Sequence, residues 1–209
     1  MLDLEEQEQF DALKAWWKRY GGALMTVVLV LAITVSAIQG WRYYQRRQAA
    51  QASALFGVLQ EVAQGGDASK IREASGEIMS RYPGTAYAPR AALIAAHANY
   101  AHGDAKSAKA QLQWVIDHAG EPALRDIARL RLASVLFDEK DAKGALALLN
   151  AKHGASFDAL YADLSGDILA VQGQTAKAKR AYKTALARLD KHLEYRKVVQ
   201  MKLDALGTE

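Results

Sequence analysis

The sequence predicts an all-α protein: a single N-terminal transmembrane helix followed by an α-solenoid of helical hairpins. Two observations carry that prediction. Gly21 to Trp41 passes twenty-one residues without a charged side chain, the length that a helix rising 1.5 Å per residue needs to cross a hydrocarbon core of ~30 Å. Behind it, a turn followed by a helix recurs at spacings of 37, 37 and 33 residues, and self-similarity at such a period marks stacked supersecondary units. The 209 residues contain no cysteine, which excludes a disulfide framework and thiolate chemistry.

Residues 1–20 precede the span as an N-terminal tail, acidic first and basic later. Phe10, Leu13 and Trp17 recur at helical spacing. A short helix lying on the headgroups and a plain topogenic flank both fit this pattern. The span itself, residues 21–41, carries aromatic and basic girdles at both ends. Trp16, Trp17 and Tyr20 stand with Lys14, Lys18 and Arg19 before it; Trp41, Tyr43 and Tyr44 stand with Arg42, Arg46 and Arg47 after it. Rings with a polar edge favour the membrane interface. A buried core helix and a cleaved signal peptide are the competing readings. A core helix rarely runs so long without a charge, and a secretory leader opens with net positive charge, whereas residues 1–20 sum to −2. Val35-Ser36-Ala37 resembles a cleavage site, but an anchor accounts for more of the pattern. Ala32, Ser36 and Gly40 fall at i, i+4 and i+8, a seam of small side chains along which another helix can approach closely.

Residues 42–64 lack proline and keep Leu55, Leu59 and Val62 on one line, as a helical stalk merging into the first hairpin. Gly65-Gly66 ends it, because glycine takes the left-handed capping conformation without steric cost. The 168 residues after Trp41 suffice for one domain with its own core. Their net charge is +6, mixed along the helices as in Arg125-Asp126 and Asp138-Glu139-Lys140-Asp141, and lacks the concentrated stripe that nucleic acid requires.

Residues 65–209 form the repeat domain. Its four turns align on Gly66-Asp67, Gly103-Asp104, Lys140-Asp141 and Gly173-Gln174. Seven positions before each of the last three stands a small residue: Ala96, Ala133 and Gly166. Five positions after stands Ala108, Ala145 or Ala178, and nine after a larger Leu112, Leu149 or Tyr182. Small residues let the two helices of a hairpin approach, while larger ones fill the space between neighbouring hairpins. Pro89 and Pro122 suit first helical turns, and Ser156 suits the cap of the helix carrying Phe157 and Leu160. A polar helix from Leu186 to Leu206, with Leu189, Leu193, Val198 and Leu203 on its apolar side, is expected to close the stack.

These residues resemble a tetratricopeptide repeat, with small-residue, turn and alanine positions in the same order. The first unit departs from that pattern, with Leu59 and Ile71 where small residues stand elsewhere. In the order of its parts the chain resembles the YfgM family, the ancillary subunits of the bacterial SecYEG translocon. The stretches that carry this likeness are Leu13-Lys14-Ala15-Trp16-Trp17-Lys18-Arg19-Tyr20-Gly21-Gly22, the span, Gly40-Trp41-Arg42-Tyr43-Tyr44 and the degenerate repeats. The resemblance implies a Gram-negative inner-membrane protein with a cytoplasmic N-terminus and a periplasmic repeat domain. It further implies association with the Sec translocon and with a membrane-anchored periplasmic chaperone of prolyl-isomerase type, and help in passing exported chains to periplasmic chaperones.

Little points to catalysis. His97, His102, His118, His153 and His192 lack metal-ligand spacing, and no phosphate loop or nucleophile motif is present. Asp163 and Asp167, one turn apart, read as a solvated carboxylate pair. The basic run Lys177, Lys179, Arg180, Lys183, Arg188 and Lys191 reads as a solvated face or as a contact for headgroups or an acidic partner. The expected work is therefore binding, without cofactor or metal. With the register set on the turns, the first helices of successive hairpins turn Arg90, Leu93, His97 and Tyr100, then Ile127, Leu130, Ser134 and Phe137, then Leu160, Asp163 and Asp167 toward a protein-binding groove. The apolar members of these rows serve equally well as core. An adaptor for protein export is the leading reading, and a membrane-anchored regulatory or signalling scaffold the alternative.

Overall fold

The computed structural model describes the backbone of residues 4–190 and 193–207, with side chains from Gln9 onward. Its described residues are helical and contain no strand. In chain order they form α1 (Leu4–Gln64), α2 (Ala68–Arg81), α3 (Tyr87–Ala101), α4 (Ala105–His118), α5 (Pro122–Asp138), α6 (Ala142–Leu149), a 3-10 turn (Ala155–Phe157), α7 (Asp158–Val171), α8 (Thr175–Arg188) and α9 (Glu194–Ala205). The chain divides into two compact units, Met1–Gln48 and Ala49–Glu209.

Helix α1 passes through residues 20/21 and 41/42 without interruption. In the first unit, residues 22–41 are all exposed, which lipid would reverse and water would penalise. Polar groups within this stretch are handled locally. The hydroxyls of Thr26 and Thr34 donate to the carbonyls of Gly22 and Val30 at 2.9 and 2.8 Å, the means by which a span hides polar side chains from hydrocarbon.

The second unit begins with the last turns of α1, where Leu59 is fully buried against Ile71 and Ile78 of α2 and Ala88, Ala91 and Ala95 of α3. Thus the first repeat of this unit packs as the later ones do, with Leu59 and Ile71 as bulky occupants of the positions that are small elsewhere. Each of the four turns places one residue in the left-handed region: Gly66 (φ 71°), Gly103 (84°), Lys140 (71°) and Gly173 (71°). The residue after it starts the next helix. Asp67, Asp104 and Asp141 accept backbone N–H bonds from the first turns of α2, α4 and α6, satisfying donors that have no partner within the helix. Crossed bonds close the preceding helices. Asp104, Asp141 and Gln174 donate their N–H to Asn99, Leu136 and Leu169 at 2.8 to 2.9 Å, the pattern that a left-handed cap creates. Gln174 breaks the series as a cap, since its side chain makes no such bond.

The expected small and large positions lie inside. Ala96, Ala133, Gly166, Ala108, Ala145, Ala178, Leu112, Leu149 and Tyr182 are all buried. At Gly166 two helices approach closely, since an added Cβ would stand 2.5 Å from the Tyr182 ring. Two expected elements differ. Ser156 lies in the 3-10 turn, which the Phe157 N–H closes on Gly154 O at 2.9 Å, so Phe157, whose side chain has no acceptor, takes the cap position of α7. The closing helix starts at Glu194 rather than running on from Leu186. At Leu189 the chain becomes extended (ψ 139°), and the Arg196 guanidinium donates to the carbonyls of Leu186 and Leu189. That break shifts the apolar phase, so Val199, Leu203 and Leu206 pack inward while Leu193 and Val198 are exposed.

Residues 45–209 expressed alone are expected to melt in one cooperative transition, since every core contact named above belongs to the second unit. Lys140→Gly in that fragment is expected to raise the midpoint by about 2–8 °C, because a non-glycine residue in the left-handed region costs ~1–2 kcal/mol. Thermal melts followed by circular dichroism check both.

Candidate functional site

The first helices of adjacent hairpins are fastened to one another by polar pairs. Arg90 of α3 forms a two-pronged bond to Glu121, just before α5, at 2.9 Å for each prong. At the other end of α3 the Tyr100 hydroxyl donates to Asp138 of α5. Between them Leu93 is core, packed with Ala92, Leu112 and Leu132, whereas His97 is exposed. In the second row Ile127 packs on the same core, and Leu130 and Phe137 pack on the next one with Tyr161 and Ile168. The Ser134 hydroxyl donates to Leu130 O at 3.2 Å. Leu160 is half-buried at the start of the third row.

His97, Tyr100 and Ser134 come together around a cavity of about 200 Å³. Ala96, Leu112 and Val135 form its apolar floor, and Arg131 joins its lining. Arg131 was not among the expected residues. The available signal was its place, three residues before Ser134 on the same helix. Arg90, the apolar members and the third row lie outside this cavity.

Asp163 and Asp167 are not a solvated pair. Asp163 is 3 % exposed and sits under α9, whose Tyr195 hydroxyl and Lys202 ammonium reach its Oδ2 at 2.5 and 2.8 Å. Lys202 also donates to Asp167 at 2.8 Å, and the Tyr182 hydroxyl donates to the other Asp167 oxygen at 2.8 Å. Burial, reinforced by hydrogen bonding to these carboxylates, pushes both Tyr182 and Tyr195 well above the ordinary phenol value. Burial works against the Lys202 ammonium, but hydrogen bonds and charge from both aspartates outweigh it and raise its pKa. The sequence separations of 32 to 39 residues kept the α9 partners, Tyr195 and Lys202, out of view.

A second buried acid braces the long connection between α6 and α7. Asp126 takes Arg129 at 2.8 Å on one oxygen and the Gly154 N–H at 3.0 Å on the other. The Tyr161 hydroxyl donates to Asp126 O at 2.8 Å, and burial followed by the charge of Asp126 pushes its pKa up to about 12.

The described histidines are dispersed. His102 and His118 bond carbonyls one turn back, at Ala98 and Trp114, and His153 stacks on Tyr161 at 4.0 Å. His192 and Lys191 lie outside the described residues. Within the basic run, Lys177 bonds Gln174 and Arg188 pairs with Asp158. Lys179, Arg180 and Lys183 line a cavity of about 530 Å³ with Leu203, Asp204 and Gly207.

On the first unit, Phe10, Leu13, Trp16 and Trp17 frame an apolar depression with Lys14 and Lys18, and Trp16–Tyr20 and Trp41–Tyr44 form ring pairs at 5.8 and 6.1 Å. Ala32, Ser36 and Gly40 are exposed along one side, and a Cβ added at Gly40 would meet nothing within 4 Å.

Removing the Lys202 cation leaves Asp163 buried without its charge partner, so Lys202→Met is expected to destabilise the repeat domain by about 3 kcal/mol at pH 8. The contribution of Lys202 is complete below its unfolded pKa of ~10.4 and fades as pH rises through its higher folded value. The raised tyrosines act in the same direction, because the fold favours their neutral form. Urea titrations of wild type and variant are therefore expected to diverge most near pH 8 and to converge only as pH rises beyond ~10.4 through the higher folded value of Lys202.

The tetratricopeptide repeat-like domain family matches residues 14–208. An ancillary SecYEG translocon subunit of Neisseria gonorrhoeae is 29 % identical over 207 residues, 97 % of this chain and 98 % of that protein. Proteins of the same name from Haemophilus influenzae and Escherichia coli are 32 % and 27 % identical, covering 87 % and 97 % of this chain and 89 % and 97 % of theirs. No solved structure matches the chain. With similarity running from the basic flank of the anchor through the last helix of the stack, the chain belongs to the tetratricopeptide repeat-like domain family and, within it, to the YfgM family of ancillary SecYEG translocon subunits.

Proposed function

We propose that the protein is a non-enzymatic adaptor held at the Sec translocon in the bacterial inner membrane, with its N-terminus in the cytoplasm and its repeat domain in the periplasm. The observation that supports this most is that the similarity to proteins named as ancillary SecYEG translocon subunits covers anchor and repeats together. A partner chemistry follows from the two units. In lipid, close backbone packing and interhelical polar contacts drive helix association, and Ala32, Ser36 and Gly40 offer a small-residue face on which a translocon helix can dock. On the repeat domain, the row containing His97, Tyr100, Ser134 and Arg131 mixes aromatic, aliphatic and polar character, which suits exported chains of varied sequence. From there a membrane-anchored prolyl-isomerase-type chaperone would receive them. Charge does not choose the orientation, since three basic residues stand on each side: Lys14, Lys18 and Arg19 against Arg42, Arg46 and Arg47.

Crosslinking in intact membranes, followed by identification of the captured proteins, tests the reading. Translocon subunits and a periplasmic chaperone are expected; capture of signalling components alone would favour a regulatory scaffold instead. Protease added to spheroplasts is expected to digest the repeat domain, and its full protection would reverse the orientation. Replacing Ala32 and Ser36 with Leu keeps the span apolar and fills the seam. That double variant is expected to reach the membrane normally and to lose at least half of its translocon crosslinks; undiminished capture would move docking to the repeat domain.

A further inference from the structure

The cavity between α3, α4 and α5 combines a closed apolar floor with an uncompensated cation. Ala96, Leu112 and Val135 at its base are each 4 % exposed or less. Of the polar groups that line it, the Tyr100 hydroxyl is taken by Asp138 and the Ser134 hydroxyl by Leu130 O. Arg131 and His97 have no hydrogen-bond or ion-pair partner among the described residues. For an arginine this is unusual here. Arg90 is clamped to Glu121, Arg129 to Asp126, and Arg125 to the carbonyls of Ala119 and Gly120. The acids that close α5 are also engaged, Asp138 by Tyr100 and Glu139 by Lys109. Every other arginine of α3 and α5 is committed to holding the stack together, so Arg131 is the one left facing outward at the mouth of an apolar pocket.

A guanidinium presents a planar fork of donors that matches a carboxylate in geometry and charge. A volume of about 200 Å³ admits one apolar side chain and little more. We infer that this cavity is a subsite for an extended polypeptide segment in which an apolar residue stands next to Asp or Glu: the apolar side chain enters over Ala96, Leu112 and Val135, and the neighbouring carboxylate pairs with Arg131. This assignment rests on the reading that the repeat face holds exported chains, and it adds a selection rule to that reading.

Fluorescence anisotropy on the full chain in detergent micelles tests it, with a labelled, C-terminally amidated peptide of alternating Leu and Glu, with Gln or Lys in place of Glu, and with the Leu–Glu and Leu–Gln peptides also as free acids. The wild-type protein is expected to bind the Leu–Glu peptide about tenfold more tightly than the Leu–Gln peptide, the effect of one charge-assisted hydrogen bond. Arg131→Gln is expected to erase that difference, and Arg131→Glu to shift the preference to the Leu–Lys peptide. Because Arg131 has no bonding partner among the described residues, both variants are expected to keep the wild-type melting profile. Equal wild-type affinities for the Leu–Glu and Leu–Gln peptides, or a preference unchanged by Arg131→Gln, would overturn the subsite and leave the groove reading standing. Tight binding confined to a free-acid peptide would place the carboxylate at a chain end and overturn the internal-segment assignment. Failure of every peptide to bind would remove the groove reading, and this one with it.

Discussion

No hairpin in the repeat domain can bury its apolar stripe alone. Each core cluster draws on at least three helices: the end of α1 with α2 and α3; α3 with α4 and α5; α5 with α6 and α7; α7 with α8 and α9. Adjacent clusters share a helix, so stability passes along the stack through neighbour contacts. Everything else in the domain serves that overlap. The left-handed turns at Gly66, Gly103, Lys140 and Gly173 reverse the chain within a few residues, and Ala96, Ala133 and Gly166 keep the paired helices close enough for the larger residues opposite to fill the gap. Where the small position is filled, as at Leu59, the partner helices meet it with alanines at 88, 91 and 95, so total volume rather than residue type is conserved along the stack.

The anchor obeys the opposite rule. In the repeat domain apolar side chains find one another, whereas residues 22–41 are all exposed among the described residues, with Trp41 touching only the neighbouring Tyr44 ring. Only lipid or another helix satisfies them. One continuous helix, α1, thus serves two solvents: its early turns present aromatic rings and lysines suited to an interface, its middle is uniformly apolar, and its last turns contribute Ala52 and Leu59 to a water-soluble core.

How much of this was legible follows from the range of each interaction. Turn positions, small-large alternation and the uncharged span are local patterns, and the structure places Ala108, Ala145, Ala178, Leu112, Leu149 and Tyr182 inside as their spacing requires. Interactions between hairpins were not legible. Asp163 and Asp167 look like exposed carboxylates until α9 brings Lys202 and Tyr195 over them, and nothing in the neighbouring sequence announces partners more than thirty residues away. The start of α9 was obscured for a related reason. Leu189 and Leu193 continue an apolar spacing, but Arg196 caps the carbonyls of α8 and ends that helix first. Of the expected binding rows, the members that proved apolar and buried are those whose hydrophobicity suited either role.

Charge distribution then separates clamped from unclamped groups along the first helices of the stack. Arg90–Glu121, Tyr100–Asp138 and the Lys202 cluster each join a first helix to its neighbour. These bonds are most valuable where burial is deepest, since a carboxylate as enclosed as Asp163 costs several kcal/mol unless a cation meets it. They also fix the spacing of successive first helices, and with it the width of the cavity between α3 and α5. A cation outside this clamping set contributes little to the fold, and in the proposed subsite it is Arg131, standing beside the rigid pairs that space α3 and α5, that is left to meet a ligand's charge.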